Sequence, residues 1–420
     1  MACVTRLLGT FVSKVVVDSH FASSICLAFA VAISGLPTVA AADAKPDDYS
    51  VTSWSSAPVS QAPSAANQIN NQTLRQIVRL STGGDYVRVR LTGRFGTATV
   101  PIGGAAVALH SANDGIVSGS SVPLTFSTRP TGTLSASFGE LWSDWVKVRV
   151  PAGTELAVDV YFSGNTGTLA TGSPLAVQPE SRQTTYLAAG NALGANPFPT
   201  IAVRDAWFFL DAIDVAAPKA GGTIVALGDQ VTTGAAASLN ANQRWTDQLA
   251  RRIASQTLIK PMGVANAGIS GNWLGTGGSG PSALARYTRD ALKQTRGSHV
   301  IVALGLNDIV GGRSATDVIA DLRQLILQAH SQGMKVIGAT ITPAGAVGAV
   351  EAERMNVNAW ILNSGEFDGV VDFAAAVADA EAPHTLRAVY DSGNGVDLND
   401  SGLAQLGDAV DLNLFKGATP

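Results

Sequence analysis

The chain has 420 residues, 28 Lys and Arg against 32 Asp and Glu, a formal net charge of -4, and no run of basic residues. It therefore lacks the electrostatic footprint that nucleic-acid binding requires. A composition of 46% hydrophobic and 14% charged residues with 44 glycines fits a globular protein rich in small residues rather than a disordered or fibrous chain. The length fits two domains, each with its own core.

At the N-terminus, Arg6 and Lys14 precede the apolar stretch 25–33, and small residues follow at Val39, Ala40, Ala41 and Ala42. This order of basic, apolar and small residues predicts a secretory signal over residues 1–42, cleaved near Ala42. The apolar stretch falls short of the roughly 20 residues a spanning helix needs, and Pro37 follows it. Cys3 and Cys26 both lie in this segment, so the mature chain is expected to have no thiol, disulfide or cysteine metal site. The expectation is a secreted or periplasmic protein with no membrane attachment after cleavage.

Residues 43–215 repeatedly alternate apolar and polar side chains, as in Tyr86 to Leu91, Trp145 to Val150 and Leu156 to Tyr161, with Gly, Ser, Pro and Asn clusters between. Period two with turn residues at each break predicts half-buried antiparallel strands, and an all-β sandwich of jelly-roll type. A linker is expected over 216–222. From 223 to 416 the pattern changes to short continuous apolar runs (223–227, 299–304, 335–341, 370–373) separated by amphipathic segments. That order predicts a parallel sheet with helices on both faces. Trp245, Leu249 and Ile253 form one helical stripe, and Ile319, Leu322, Ile326 and Ala329 form another behind the Ser314-x-x-Asp317 start of a capping box.

In an open parallel sheet ligands sit beyond the carboxyl ends of the strands. Four stretches fall there: Gly228-Asp-Gln230, Asn266-Ala-Gly-Ile-Ser-Gly-Asn272, Gly305-Leu-Asn-Asp308, and 391–400 before the last helix. With these four blocks in this order, residues 222–415 resemble the SGNH, or GDSL, hydrolase superfamily, secreted esterases and carbohydrate deacetylases with a flavodoxin-like sheet. The β-rich half resembles the β-domain that precedes such a hydrolase in some secreted bacterial members. The resemblance implies a Ser nucleophile in the first block, an oxyanion hole made by its backbone N–H with a Gly of the second block and an Asn of the third, and an Asp and a His three residues apart in the last. Gly268 and Asn307 match the oxyanion positions. Gln230 stands at the Ser position, Asn394 at the Asp and Asp397 at the His.

A carboxamide cannot act as the acyl acceptor, because its nitrogen lone pair is delocalised. An ionised Asp397 accepts protons but cannot protonate a leaving alkoxide as imidazolium does. The three substitutions agree in removing the covalent mechanism. Of the histidines His110, His299, His330 and His384, only His384 precedes the last block closely enough to be weighed as a displaced base, and a surface-loop role is the simpler reading. Ser270 and Ser392 lie in the blocks without an evident base. Asp229 suits hydrogen bonding to the turn backbone, and Gly268 a tight turn.

No His pair or regular carboxylate alternation has metal spacing, and Gly277-Gly-Ser-Gly280 lacks the Lys and Ser/Thr of a phosphate loop, so no metal and no cofactor is expected. Three functions follow as expectations. The first is a non-catalytic binder of a small-molecule or polysaccharide ligand, carbohydrate or acyl ester, on Gln230, Gly268, Asn307 and Asp397. The second is a weak esterase or deacetylase in which Asp397 activates water while Gly268 and Asn307 hold the oxyanion. The third is glycan or cell-surface binding through the β-sandwich.

Overall fold

The computed structural model describes residues 45–64, 67–137, 139–166 and 173–417. The expected signal over 1–42 lies outside the described residues.

The first half is built from β1 (Ser50–Ser55), β2 (Val59–Gln61), β3 (Asn70–Arg79), β4 (Gly84–Thr92), β5 (Val100–Leu109), β6 (Val122–Leu124), β7 (Gly132–Leu134), β8 (Glu140–Trp142), β9 (Val146–Val150), β10 (Glu155–Asn165), β11 (Leu175–Ala189), β12 (Thr200–Phe208) and β13 (Leu210–Ala216). One antiparallel sheet runs β1-β13-β4 with β8 and β9 both on β4; the other runs β12-β11-β3-β10-β5-β6, with β2 on β11 and β7 on β5. The alternation read in the sequence is the reason both sheets have an apolar face. Val87, Val89 and Leu91 of β4 meet Leu74 and Val78 of β3 and Val158, Val160 and Phe162 of β10 in a single core.

The second half contains β14 (Thr223–Gly228), α1 (Gln230–Thr233), α2 (Trp245–Ala254), β15 (Gly263–Gly268), α3 (Ala283–Tyr287), β16 (Gly297–Ala303), α4 (Leu306–Val310), α5 (Ala315–Ser331), β17 (Lys335–Ala339), α6 (Gly348–Asn363), β18 (Gly369–Val371), α7 (Phe373–Val377) and α8 (Asp400–Ala409). The sheet is parallel, in the order β15-β14-β16-β17-β18. Successive side chains of β14 serve two layers: Val225 and Leu227 pack with α3 and α5, while Ile224 and Ala226 pack with α2 and α8. Helix α2 buries Trp245, Leu249 and Ile253. Ser314 caps α5, accepting the Asp317 N–H, and Leu322, Ile326 and Ala329 are buried, with Ile319 at the edge of the same core.

Because β14 is sequentially first but second in the sheet, the chain reverses direction across the sheet between β14 and β16. At such a switch point neighbouring loops diverge and leave a crevice. The two halves are also bonded to each other. Thr52 of β1 donates its N–H to Thr223 Oγ1 at 3.1 Å, its hydroxyl accepts the Thr295 N–H at 3.0 Å, and Asp214 of β13 accepts from the Thr295 hydroxyl at 2.7 Å.

Candidate functional site

Strand β14 ends at Gly228, where any Cβ would collide with the Thr232 side chain, so the chain can fold tightly back on itself. Asp229 caps the short turn α1, its Oδ1 accepting the Val231 N–H at 3.0 Å, and the turn closes at Gly234 with φ of 74°. Gln230 is thereby the second residue past the carboxyl edge of the sheet and the first of the turn α1. Under it lies Arg286, fully buried, whose guanidinium donates to Gly228 O (3.0 Å), Ala267 O (2.7 Å) and Asn272 Oδ1 (3.0 Å) and pairs with Asp290 (3.1 Å). One side chain thus ties the ends of β14 and β15 and the following loop together; nothing in the local sequence around Arg286 signals this role.

Across the switch point, α4 carries Asn307. Its Nδ2 donates to Gln230 Oε1 at 2.9 Å and to Asn272 O at 3.1 Å, and lies 3.4 Å from Asp229 Oδ2. The next residue, Asp308, is buried and accepts from the N–H groups of Leu274 and Gly275 and from Arg313. It fixes the 271–275 loop against α4.

The structure brings Gln230 and Asn307 together, and corrects the role given to Gly268. The Gly268 N–H donates to Asn266 Oδ1 at 2.9 Å, because Asn266 is held in place by its own bonds to Thr232 O and Thr246 Oγ1. Gly268 is needed for packing: a Cβ there would run into the backbone of Thr232 and Thr233. The donor that faces Gln230 belongs to Gly271, whose N–H reaches Gln230 Oε1 at 3.2 Å. Gly271 has φ of 72°, a left-handed conformation that suits glycine and turns its amide toward the α1 turn. Two glycines stand in the block Asn266 to Asn272, and the one nearer the strand is the packing residue. The carboxamide oxygen of Gln230 therefore occupies the point where Gly271 N–H and Asn307 Nδ2 converge.

In the last block Asp391, Asn394 and Asp397 bond locally, while Asp400 accepts the Ser238 N–H at 2.8 Å. Asn394 Oδ1 accepts from the N–H groups of Val396 (3.0 Å) and Asp397 (2.8 Å), and Asn394 Nδ2 donates to Asp397 Oδ2 at 2.8 Å. Asp391 Oδ1 accepts from Gly393 and Gly395. No hydrogen bond joins Asn394 or Asp397 to Gln230. Asp397 Oδ1 is buried without a partner, and so is Ser270 Oγ in the loop beside Gly271. Burial drives the Asp229 carboxyl up to about 7, against the hydrogen bonds of its own turn; the charges of Asp397 and Asp308 push the same way, which sets Asp397 in the neighbourhood of Asp229.

The remaining candidates lie apart. His384 makes no side-chain hydrogen bond to a described residue, and its carbonyl accepts from Gly345. The Ser392 hydroxyl lies 3.4 Å from Asn394 Oδ1. His110 bonds Glu155 in the β-rich half, and His330 pairs with Asp368 at 2.8 Å. His299 is buried in β16 against Phe415, which pulls its pKa down to about 4. Among the described residues no group of three or more His, Cys, Asp or Glu is arranged to hold a metal ion, and no helix is long and apolar enough to cross a membrane.

At the end of the first parallel strand the turn presents Gln230 to donors from two further segments, Gly271 and Asn307. Residues 226–404, within the α/β half, match the family described as GDSL-like Lipase/Acylhydrolase. Among solved structures, Est24, a carbohydrate acetylesterase from Sinorhizobium meliloti, is 15% identical, over 44% of this chain and 95% of its own, with a TM-score of 0.36. The psychrotrophic esterase EstA from Pseudoalteromonas sp. is 19% identical, over 44% of this chain and 93% of its own, TM-score 0.36. A family two carbohydrate esterase from Cellvibrio japonicus is 11% identical, over 85% of this chain and 93% of its own, TM-score 0.36. No curated protein matches the chain.

Proposed function

We propose that this protein is a non-catalytic binder built on an acylhydrolase fold, exported to the periplasm or the medium, that takes a carbohydrate or acyl-ester ligand at the switch point. The observation that carries the reading is the placement of Gln230 Oε1 on the Gly271 N–H and Asn307 Nδ2. Those are the donors an ester carbonyl would need as charge develops on its oxygen. With a carboxamide there, the turn holds neither a nucleophile nor an empty oxyanion site, and Asp397 holds no proton donor for a leaving group.

Support for ligand binding comes from the rim. Ser270 Oγ and Asp397 Oδ1 are buried polar atoms with no partner, a costly state that a ligand hydroxyl would relieve. Neutral amides of Gln230 and Asn394 beside a carboxylate suit a polyhydroxylated ligand. In the water-activation alternative, Gly268 cannot serve as the oxyanion donor that reading assigned to it, since its N–H is held by Asn266. Gln230 would also have to swing off Asn307 before any carbonyl could enter.

The test is hydrolysis of p-nitrophenyl acetate by the purified protein beside Gln230→Ala and heat-denatured protein, followed by affinity electrophoresis in acetylated xylan. Turnover at the level of denatured protein with retarded migration in the gel is expected. Turnover well above that control, abolished by Asp397→Asn, would overturn the non-catalytic reading.

A further inference from the structure

A cavity of about 250 Å³ lies between the sandwich and helix α2; it reaches Thr233 and Gly268, but Gln230 does not line it. One wall is apolar: Trp54 and Trp207 meet edge to face at 4.8 Å, with Leu80 and Val264 beside them. The other wall carries Arg79, Arg244, Arg251 and Asp247, three guanidiniums against one carboxylate. The cavity reaches solvent past the exposed residues Ala152 and Ala254, where a second cavity of about 430 Å³ continues along the same seam. Domain interfaces are a preferred location for small-molecule sites of mixed apolar and polar lining.

The hydrogen bonds decide what such a site can hold. The hydroxyls of Ser55, Ser56, Ser81, Ser181 and Thr233 all donate to backbone carbonyls, so they offer a ligand no free proton. Arg244 is held by Ser181 O and by Asp247, and Arg251 by Asn242 O, Gln243 and Gln248. Arg79 differs. It sits directly opposite Glu155 in the β3–β10 register, yet the Glu155 carboxylate is taken at both oxygens, by His110 (2.7 Å) and by Asn242 (2.7 Å). Among the described residues the Arg79 guanidinium has no hydrogen-bond or ion-pair partner. It lies against Gly153, where a Cβ would come within 3.1 Å of its Nη2. Burial pulls Arg251 below the usual arginine range; of the neighbouring charges, Asp247 and Asp408 oppose this and Arg79 adds to it.

We infer that this interdomain cavity binds a small organic carboxylate, its anionic end on Arg79 and its carbon or sugar-ring body against Trp54 and Trp207. A guanidinium offers a planar fork that matches a carboxylate, and an unpaired one beside an apolar wall selects for charge and an apolar face together.

Calorimetric titration of the full-length protein at low ionic strength tests this, with hexanoate and D-glucuronate as probes and hexanamide and D-glucose as their neutral counterparts. Saturable binding of at least one acid is expected, with its neutral counterpart at least about tenfold weaker, and whichever acid binds tells an aliphatic from a sugar body. Arg79→Gln, at a partly exposed strand end, should weaken that acid by about tenfold or more, with Arg79→Lys between it and the parent. Absence of saturable binding by both acids at millimolar concentration, equal binding of acid and neutral counterpart, or an Arg79→Gln protein that binds like the parent would each overturn the inference. Loss of binding in Gln230→Ala would place the probe at the switch point and overturn it as well, whereas unchanged binding there keeps this site separate from the proposed ligand site.

Discussion

The nucleophile turn and the last block stand at the same edge of the sheet but are held in opposite ways. Around Gln230 the bonds span long stretches of chain: Asn307 reaches Gln230 and Asn272, and Arg286 reaches Gly228 and Ala267. The side chains of Asp391, Asn394 and Asp397 bond only within two to four residues, while at the end of the block Asn399 reaches Asp391 O and Asp400 accepts the Ser238 N–H at 2.8 Å. The first arrangement exists only when the whole α/β half is folded, and its polar groups are mutually committed. The second is held mainly by local bonds around Asn394, with one long-range tie from Asp400 to the loop after α1. The polar groups of the first loops converge on Gln230, and those around Asn394 converge on one another.

The largest effect should come from the strut beneath the turn. Arg286→Met removes donors from three acceptors and leaves Asp290 with one fewer partner, and unfolding by urea should show a loss of about 3–5 kcal/mol. A loss under about 1 kcal/mol would mean that the loops around Gln230 are held by packing alone, and the contrast with the last block would fail.

Next is Asp229. Its folded-state pKa is raised from 3.8 to about 7, so between those values the folded state holds a proton that the unfolded state has released. Stability from this group is present at low pH and is lost as pH rises toward about 7, by about 4 kcal/mol at the upper bound. Asp229→Asn keeps an acceptor for the Val231 N–H and does not titrate. The stability difference between variant and parent should therefore shift in favour of the variant from pH 4.5 to pH 8. Buried His299, depressed to about 4, works in the opposite sense, with stability lost as pH falls from its ordinary value, but it is common to both proteins and cancels in the difference. A pH-independent difference would sink the assignment.

The smallest effect belongs to the local loop. Asn394→Ala removes the acceptor for two N–H groups on an exposed turn, where water can replace it, and should cost about 1 kcal/mol or less in the same urea experiment. A cost as large as that of Arg286→Met would show that the last block supports the fold from afar.

Much of the fold was legible because periodicity is a local property. Alternation over Tyr86 to Leu91 and Leu156 to Tyr161 became β4 and β10, the apolar run 223–227 became β14, and the Ser314 cap stands where the capping box put it. The site was legible in part. That Gln230 follows the first parallel strand, and that Asn307 lies across from it, came from block order alone. Which glycine offers its N–H did not: Gly268 and Gly271 are three residues apart in one block, and only the competing acceptor on Asn266 and the left-handed turn at Gly271 decide between them.

The sequence by itself determined the change of architecture near residue 220 and the residue types Gln230, Asn394 and Asp397 at the positions the resemblance picks out. These are matters of residue type and short-range pattern. Only the tertiary structure decided that the Gln230 carboxamide meets the donors of Asn307 and Gly271, that Arg286 and Asp308 brace those loops, and that Arg79 is left unpaired because Glu155 is drawn to His110 and Asn242. Each of these turns on which of several possible partners lies within about 3 Å and in line. That choice is set by how strands and loops distant in the chain come to rest against one another.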